Sequence, residues 1–228
     1  MPLDISIFGQ GIYTPRQAAR LVGTTPQEVL RWTRGSGPHD PLWTAYYRNL
    51  DNSTELSFAD LIELRVVKAF RRASVSLQAV RFAINFAQEL YGVQRPLVSL
   101  EFRTDGSEIL MKALEQDGDY VSLSKKRPGQ KVFAKIVEQS LQDLEYDDGT
   151  AARWRPALHK QVVLDPQRQF GQPVIDHYGI STELLFREAR EFESETYLAR
   201  IYDIPRSAVK AALRYEASLQ DSDGQSSV

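Results

Sequence analysis

Apolar positions recur with a helical period over most of this chain, and the first run is short and sharply punctuated. Ala18, Ala19, Leu21 and Val22 make one stripe, Gly23 breaks it, and Val29 and Leu30 make a second. Each stripe is preceded by the same start signal. Thr14-Pro15-Arg16-Gln17 and Thr25-Pro26-Gln27-Glu28 both place a threonine cap, a proline at the first helical position and Gln or Glu three residues on. The pattern predicts helix, tight turn, helix, with Val29 and Leu30 folding the second helix onto the first. Thr24, Thr25, Gln27, Glu28, Arg31 and Arg34 are then left outward on the second helix. Side chains of these types bind phosphates or read base edges in a major groove. Arg16 adds to them, and from Arg16 to Arg34 four arginines stand against one glutamate. DNA contact is the function this end predicts.

Further on, Gly35-Ser36-Gly37-Pro38 is a breaker cluster, and Trp43 to Arg48 reads as a short strand or wing edge ending in Tyr46, Tyr47 and Arg48. Tyr47 and Arg48 are its candidate DNA contacts. Ser57 caps a long helix with Phe58, Leu61, Ile62, Leu64, Val67 and Phe70 on its buried stripe. A second helix starts at Ser76 and stops at Gly92. It carries Leu77, Val80, Ile84 and Ala87 on one face, with Phe82, Phe86 and Leu90 beside it. These two helices are read as an antiparallel pair on which the N-terminal motif packs.

Texture changes at Pro96. Val98 to Phe102, Ile109 to Lys112 and Tyr120 to Leu123 read as strands separated by the turn dipeptides Asp105-Gly106 and Asp117-Gly118. Lys131 to Leu144 is helical, Asp147 to Thr150 is a loop, and two short strands lie near Trp154 and at Val162 to Leu164. From Asp165-Pro166 the chain reads as helical, with starts at Ser181, Ser194 and Asp203-Pro205. The last helix buries Ala208, Val209, Ala212, Leu213 and Ala217. The fold class is mainly α with a small β-containing middle: a winged helix-turn-helix domain over residues 1–95, an α+β region over 96–160 and a tri-helical domain over 161–219. The polar stretch 220–228 is expected to be disordered.

Composition trims the choices. The chain has 228 residues, a net charge of −2 and no cysteine, which excludes disulfides and Cys-ligated zinc. A near-neutral balance allows a DNA reader whose positive charge is confined to one patch. No apolar run approaches the length of a membrane span, so a cytoplasmic location is expected. His39, His159 and His177 lack metal-ligand spacing and read as surface or loop residues. The run Asp143, Glu145, Asp147 and Asp148 lacks the ordered glycine and terminal glutamate of a calcium loop. No Ser/His/Asp arrangement, P-loop or GxGxxG is present, so an enzyme has no anchor, and no cofactor is expected. Arg206, Lys210 and Arg214 form a basic stripe on the last helix, with Arg187 and Arg190 as neighbours. The stripe is either a solvated face or a contact for an acidic surface.

Two stretches carry a resemblance. YTPRQAARLVGTTPQEVLRWTRG followed by LSFADLIELRVVKAFRRASVSLQAVRFAI resembles the DNA-binding domain of MerR-type regulators. VVLDPQRQFGQPVIDHYGISTELLFREAREFESETYLARIYDIPRSAVKAALRYEAS resembles a small helical domain of VapB-type antitoxins, with Phe170-Gly171-Gln172-Pro173 as the turn that opens it. The pairing of both ends is similar to long VapB-type antitoxins. That resemblance implies a homodimer that represses its own operon on an inverted-repeat operator and neutralises a PIN-like ribonuclease toxin. On such a toxin a carboxylate-lined pocket is the surface the arginine stripe would meet. The chain departs from the MerR pattern in lacking a long dimerisation coiled coil and sensing cysteines. The alternative reading is a stand-alone MerR-type regulator that senses a small molecule through the middle region.

Overall fold

The computed structural model describes residues 9–116, 130–192 and 194–224. Helix α1 (Pro15–Val22) starts as the sequence predicts. Thr14 Oγ1 accepts from Gln17 N at 3.2 Å, and Gln17 Oε1 accepts from Thr14 N at 2.9 Å. Gly23, at φ 72°, ends the helix in the left-handed region, where a residue without Cβ is unstrained. Helix α2 (Pro26–Arg34) is capped by Thr25, but its box is only half closed. The Glu28 carboxylate turns to the Thr24 hydroxyl and to Lys68, at 3.4 Å, on α4 (Phe58–Arg72). The predicted reciprocal bond gives way to a tether between two helices.

The segment from Trp43 to Arg48 is not a strand. It runs through bends into the single turn of α3 (Arg48–Asp51). The cause is Asp60, fully buried in the first turn of α4. Its carboxylate accepts from Trp43 Nε1 at 2.9 Å and from the Tyr46 backbone N at 3.1 Å, so that stretch bonds to a side chain instead of a neighbouring strand. It also accepts from Ser57 N at 2.8 Å, closing the α4 capping box, and from Arg95 Nη2 at 2.7 Å. Arg95 Nη1 reaches Glu63 at 2.8 Å.

Helix α5 (Leu77–Tyr91) is capped by Ser76 and ended by Gly92, as predicted. Its main packing partner is α6 (Leu100–Gln116), which follows a 3-10 turn at Pro96–Val98. Helix α6 replaces the strands expected at Val98–Phe102 and Ile109–Lys112. Phe102, Ile109, Leu110, Ala113 and Leu114 are all buried, which is a helical spacing. Gly106 is a packing residue within that helix, not a turn: a Cβ there would overlap the Phe102 ring. The strand expected at Tyr120–Leu123 and the Asp117-Gly118 turn lie outside the described residues. Helix α7 (Gln130–Leu141) packs on α4 and α6 and stops short of Leu144. Leu144 instead begins β1 (Leu144–Asp147), which pairs antiparallel with β2 (Thr150–Trp154). Asp148 and Gly149, at φ 45° and 75°, form the two-residue turn that suits a right-handed hairpin.

Beyond Asp165 the chain is not helical at once. Strands β3 (Val162–Val163), β4 (Val174–Ile175) and β5 (Ile180–Ser181) form an antiparallel sheet in that order. Three helices follow: α8 (Thr182–Phe192), α9 (Glu195–Ile201) and α10 (Arg206–Gly224). In α10 the inward positions are Ala208, Val209, Ala212, Tyr215, Glu216 and Leu219; Ala217, expected inside, faces solvent because the 3.6-residue period carries it outward. The helix passes the expected start of the tail at Gln220 and is described to Gly224.

The two ends of the chain share one core. Helix α1 packs on α2, α4 and α10. Arg20 on α1 pairs with Glu216 on α10, whose side chain is buried and also accepts from the Thr182 hydroxyl. Tyr13 OH donates to Gly171 O at 2.7 Å, and Ile12 N donates to Phe170 O at 2.9 Å. Gly171, at φ 84°, leaves no room for a Cβ against Tyr13.

Burial raises the Glu63 carboxyl, Arg95 lowers it, and Asp60 raises it again, with the net at about 8. The folded state therefore holds a proton that the unfolded state has already lost between about pH 4.5 and 8. Stability is expected to be full below that window, to fall as pH rises through it and to level off above. In Glu63→Gln this slope should vanish, as read from urea midpoints across the range; an unchanged slope would contradict the assignment. Arg20→Ala leaves Glu216 buried without its cation and should cost roughly 3–5 kcal/mol in denaturant unfolding. A loss below about 0.5 kcal/mol, the scale of an ordinary surface change, would mean the pair does not join the two ends.

Candidate nucleic-acid and partner interfaces

The structure sorts the predicted DNA contacts into outward and inward groups. Arg16, Gln27 and Arg31 are exposed on α1 and α2. Thr25 is half-buried and occupied as the α2 cap. Arg34 is half-buried and held: Nη1 donates to Ser53 O at 3.0 Å and Nη2 to Asn52 Oδ1 at 2.9 Å. Arg48, half-buried, opens α3 beside that loop.

Two predicted contacts turn inward, and a third, Glu28, is tied to its neighbours. Thr24 is buried, its hydroxyl donating to Glu28. Burial raises the Glu28 carboxyl, but the Thr24 hydroxyl and Lys68 outweigh it and hold the group below its ordinary value. Tyr47 is buried with its hydroxyl donating to Gly11 O at 2.7 Å, and burial, then Tyr46 and Asp60, push it up to about 12. Thr24 and Tyr47 are committed to the protein's own interior, and the half-buried Glu28 is held by Thr24 and Lys68. The surface set is narrower than the sequence implies: Arg16, Gln27 and Arg31, with Arg34 and Arg48 at its edge.

Beside that set lies a cleft of about 620 Å³ that the sequence did not reveal. Arg31 and Trp32 from α2, His39 from the following turn, and Arg81, Phe82 and Asn85 from α5 line it. Arg81 Nη1 donates to Pro41 O at 2.7 Å and Nη2 to Asp40 O at 2.9 Å, which straps the α2 exit loop to α5. Gly35 permits the tight exit: at φ 83° it passes so close to the His39 carbonyl that no Cβ fits.

At the other end, Arg187 and Arg190 are exposed on α8, and Arg190 stacks 5.8 Å from the Phe186 ring centroid. Arg206 pairs with Glu195 at 2.8 Å, and Lys210 lies 3.9 Å from the same carboxylate. Arg214 is exposed. One acid from α9 thus partly neutralises the basic stripe of α10. Next to it Phe192 and Tyr197 stack at 5.1 Å, both about half exposed, and Ile201 follows one turn after Tyr197.

Two of the four acids in the run are held by cations: Asp143 by Arg65 at 2.6 Å, and Glu145 by Arg153 at 2.7 Å and by Arg155, while Asp147 and Asp148 are exposed. His39 and His177 are exposed, while His159 is half-buried against Tyr215, its pKa lowered by burial. Among the described residues no group of three potential metal ligands converges, and no helix is long and apolar enough to cross a membrane.

No family model matches the chain. It is 32% identical over 192 residues to a Mycobacterium tuberculosis protein named as antitoxin VapB45, covering 76% of this chain and 80% of that one. Its structure is similar to the crystal structure of Rv2018 from Mycobacterium tuberculosis, with a TM-score of 0.69 and 26% identity over 90% of this chain and 98% of the other. With that identity over four-fifths of the relative, the chain belongs to the VapB-type antitoxins.

Proposed function

We propose that this antitoxin acts at both ends: residues 1–95 bind operator DNA as a MerR-like winged helix-turn-helix, and the tri-helical domain of 161–219 captures a PIN-like ribonuclease toxin. The observation that carries the DNA half is the arrangement of α1 and α2. Their apolar faces are buried and their ends capped, and Arg16, Gln27 and Arg31 project from the outer side. A guanidinium at the position of Arg31 suits the paired acceptors of a guanine edge, and Arg48 suits a phosphate. One such module buries too little surface for specific affinity, so the operator is an inverted repeat read by a homodimer.

The toxin half rests on cation supply. A PIN-like nuclease gathers carboxylates around its metal, and an arginine fork matches a carboxylate in two parallel hydrogen bonds. Arg187, Arg190, Arg206 and Arg214 are exposed, and Arg206 and Lys210 stand against Glu195. Binding by Arg206 or Lys210 therefore exchanges Glu195 for a carboxylate of the toxin. The antitoxin neutralises by covering the cleft and needs no catalytic group.

Two measurements test the halves separately. In gel shifts on the native promoter, Arg31→Ala should weaken specific binding by roughly 1–3 kcal/mol, whereas Arg48→Ala should weaken all sequences alike and flatten the salt slope. Equal affinity of Arg31→Ala and wild type sinks the α2 assignment. Changing Arg206, Lys210 and Arg214 together to alanine should leave DNA binding intact but restore growth arrest when the toxin of the same operon is co-expressed. Full protection by the triple variant would mean that the stripe is a solvated face.

A further inference from the structure

Helix α4 carries Arg65, Lys68 and Arg72 at i, i+3 and i+7, which places three cations on one face of the helix. Such a face ordinarily meets bulk water. Here residues of α1, α7 and β2 wall it into a cleft of about 550 Å³, lined also by Val22, Ile136 and Trp154. We infer that this cleft binds a small organic phosphate, held by its phosphoryl group on Arg65, Lys68 and Arg72. The inference goes beyond the operator and toxin readings and depends on neither.

Each cation is held to a different degree. Arg65 is fixed: its guanidinium lies 4.6 Å from the Trp154 ring centroid and 2.6 Å from Asp143. Its Nη1 is buried and has no acceptor among the described residues, so the group keeps a donor unspent. Lys68 stands 3.4 Å from Glu28, longer than a charge-assisted hydrogen bond, and a stronger anion displaces that carboxylate. Arg72 is exposed, and no described carboxylate holds it. Among the described residues no acid lines the cleft, and Asp143 and Glu28 are the acids that face its cations.

A carboxylate offers two oxygens, enough for one arginine fork. A phosphoryl group offers three and a second charge, which suits three cations set along a helix. The remaining space is too large for an ion alone. A cleft of about 550 Å³ lies in the range of organic-ligand pockets, and Val22, Ala73 and Ile136 supply half-buried apolar wall. Binding also reaches α2, because the ligand takes Lys68 from Glu28.

Titration of the full chain with phenyl phosphate tests the site, since that probe joins one phosphoryl group to one flat apolar body. Wild type should bind it saturably, with a Kd of about 1 mM or tighter. Inorganic phosphate should bind at least about fivefold more weakly, for want of apolar area to bury, and phenol should not saturate. Arg72→Gln, at an exposed position, should raise the Kd roughly tenfold with unchanged helical circular dichroism. Lys160→Gln, which removes an exposed cation outside the cleft, should leave the Kd unchanged. Glu28→Gln removes the competitor for Lys68 and should lower the Kd. In nuclear magnetic resonance spectra the indole signal of Trp154, whose N–H donates to Asp143 at 2.9 Å, should move on binding. That of Trp43, bound to Asp60, should stay. Absence of saturable binding, equal affinity for inorganic phosphate or phenol, or a Trp154 signal that stays would each overturn the proposal. So would an Arg72→Gln variant that binds as tightly as wild type, or an equal loss in Lys160→Gln.

Discussion

The architecture of the N-terminal half depends on one buried carboxylate. Asp60 has no exposure, yet it collects the indole of Trp43, the backbone of Tyr46, the Ser57 cap and the guanidinium of Arg95. Those donors come from the segment after α2, from the start of α4 and from the loop after α5. A buried carboxylate without donors is costly, so the three segments are held in register by the need to satisfy it. Arg95 also faces Glu63, and two carboxyls facing one guanidinium leave the cluster neutral when Glu63 keeps its proton. The wing-like segment is irregular for the same reason: its backbone is bound to a side chain.

A second set of buried contacts joins the ends of the chain. Arg20 and Glu216 are separated by 196 positions, and Tyr13 and Gly171 by 158, yet each pair is in direct contact. Helix α10 therefore presses its inner face on α1 while its outer face carries Arg206, Lys210 and Arg214. The surface proposed for the toxin and the helix pair proposed for DNA are built on one shared core.

Charge is used economically across the surface. Lys68 holds Glu28, Arg65 holds Asp143, Arg155 and Arg168 hold Asp176, and Glu195 holds Arg206. Such internal pairing reduces the cations left for partners and concentrates the remainder. Arg16 and Arg31 at one end and Arg187, Arg190 and Arg214 at the other are among the exposed cations that no described carboxylate holds.

Local chemistry was legible in the sequence. Thr14, Thr25, Ser57, Ser76 and Ser194 each cap the helix that their own next three residues begin, and Gly23 and Gly92 end theirs, because a cap is a contact over three or four positions. The mainly helical class followed from such signals, and the antitoxin reading from the resemblance of two stretches of the sequence. Where local and distant forces competed, the sequence misled. Asp105-Gly106 reads as a turn, but Phe102 packs over Gly106 and the strands on either side become one helix. Thr24, Glu28 and Tyr47 read as outward, but Lys68 and Gly11 claim them from across the fold. The joining of the two ends through Glu216 had no local signature at all. Its partners meet only after the helices between them have packed, so only the tertiary structure decided which charges stay inside and which remain for a partner.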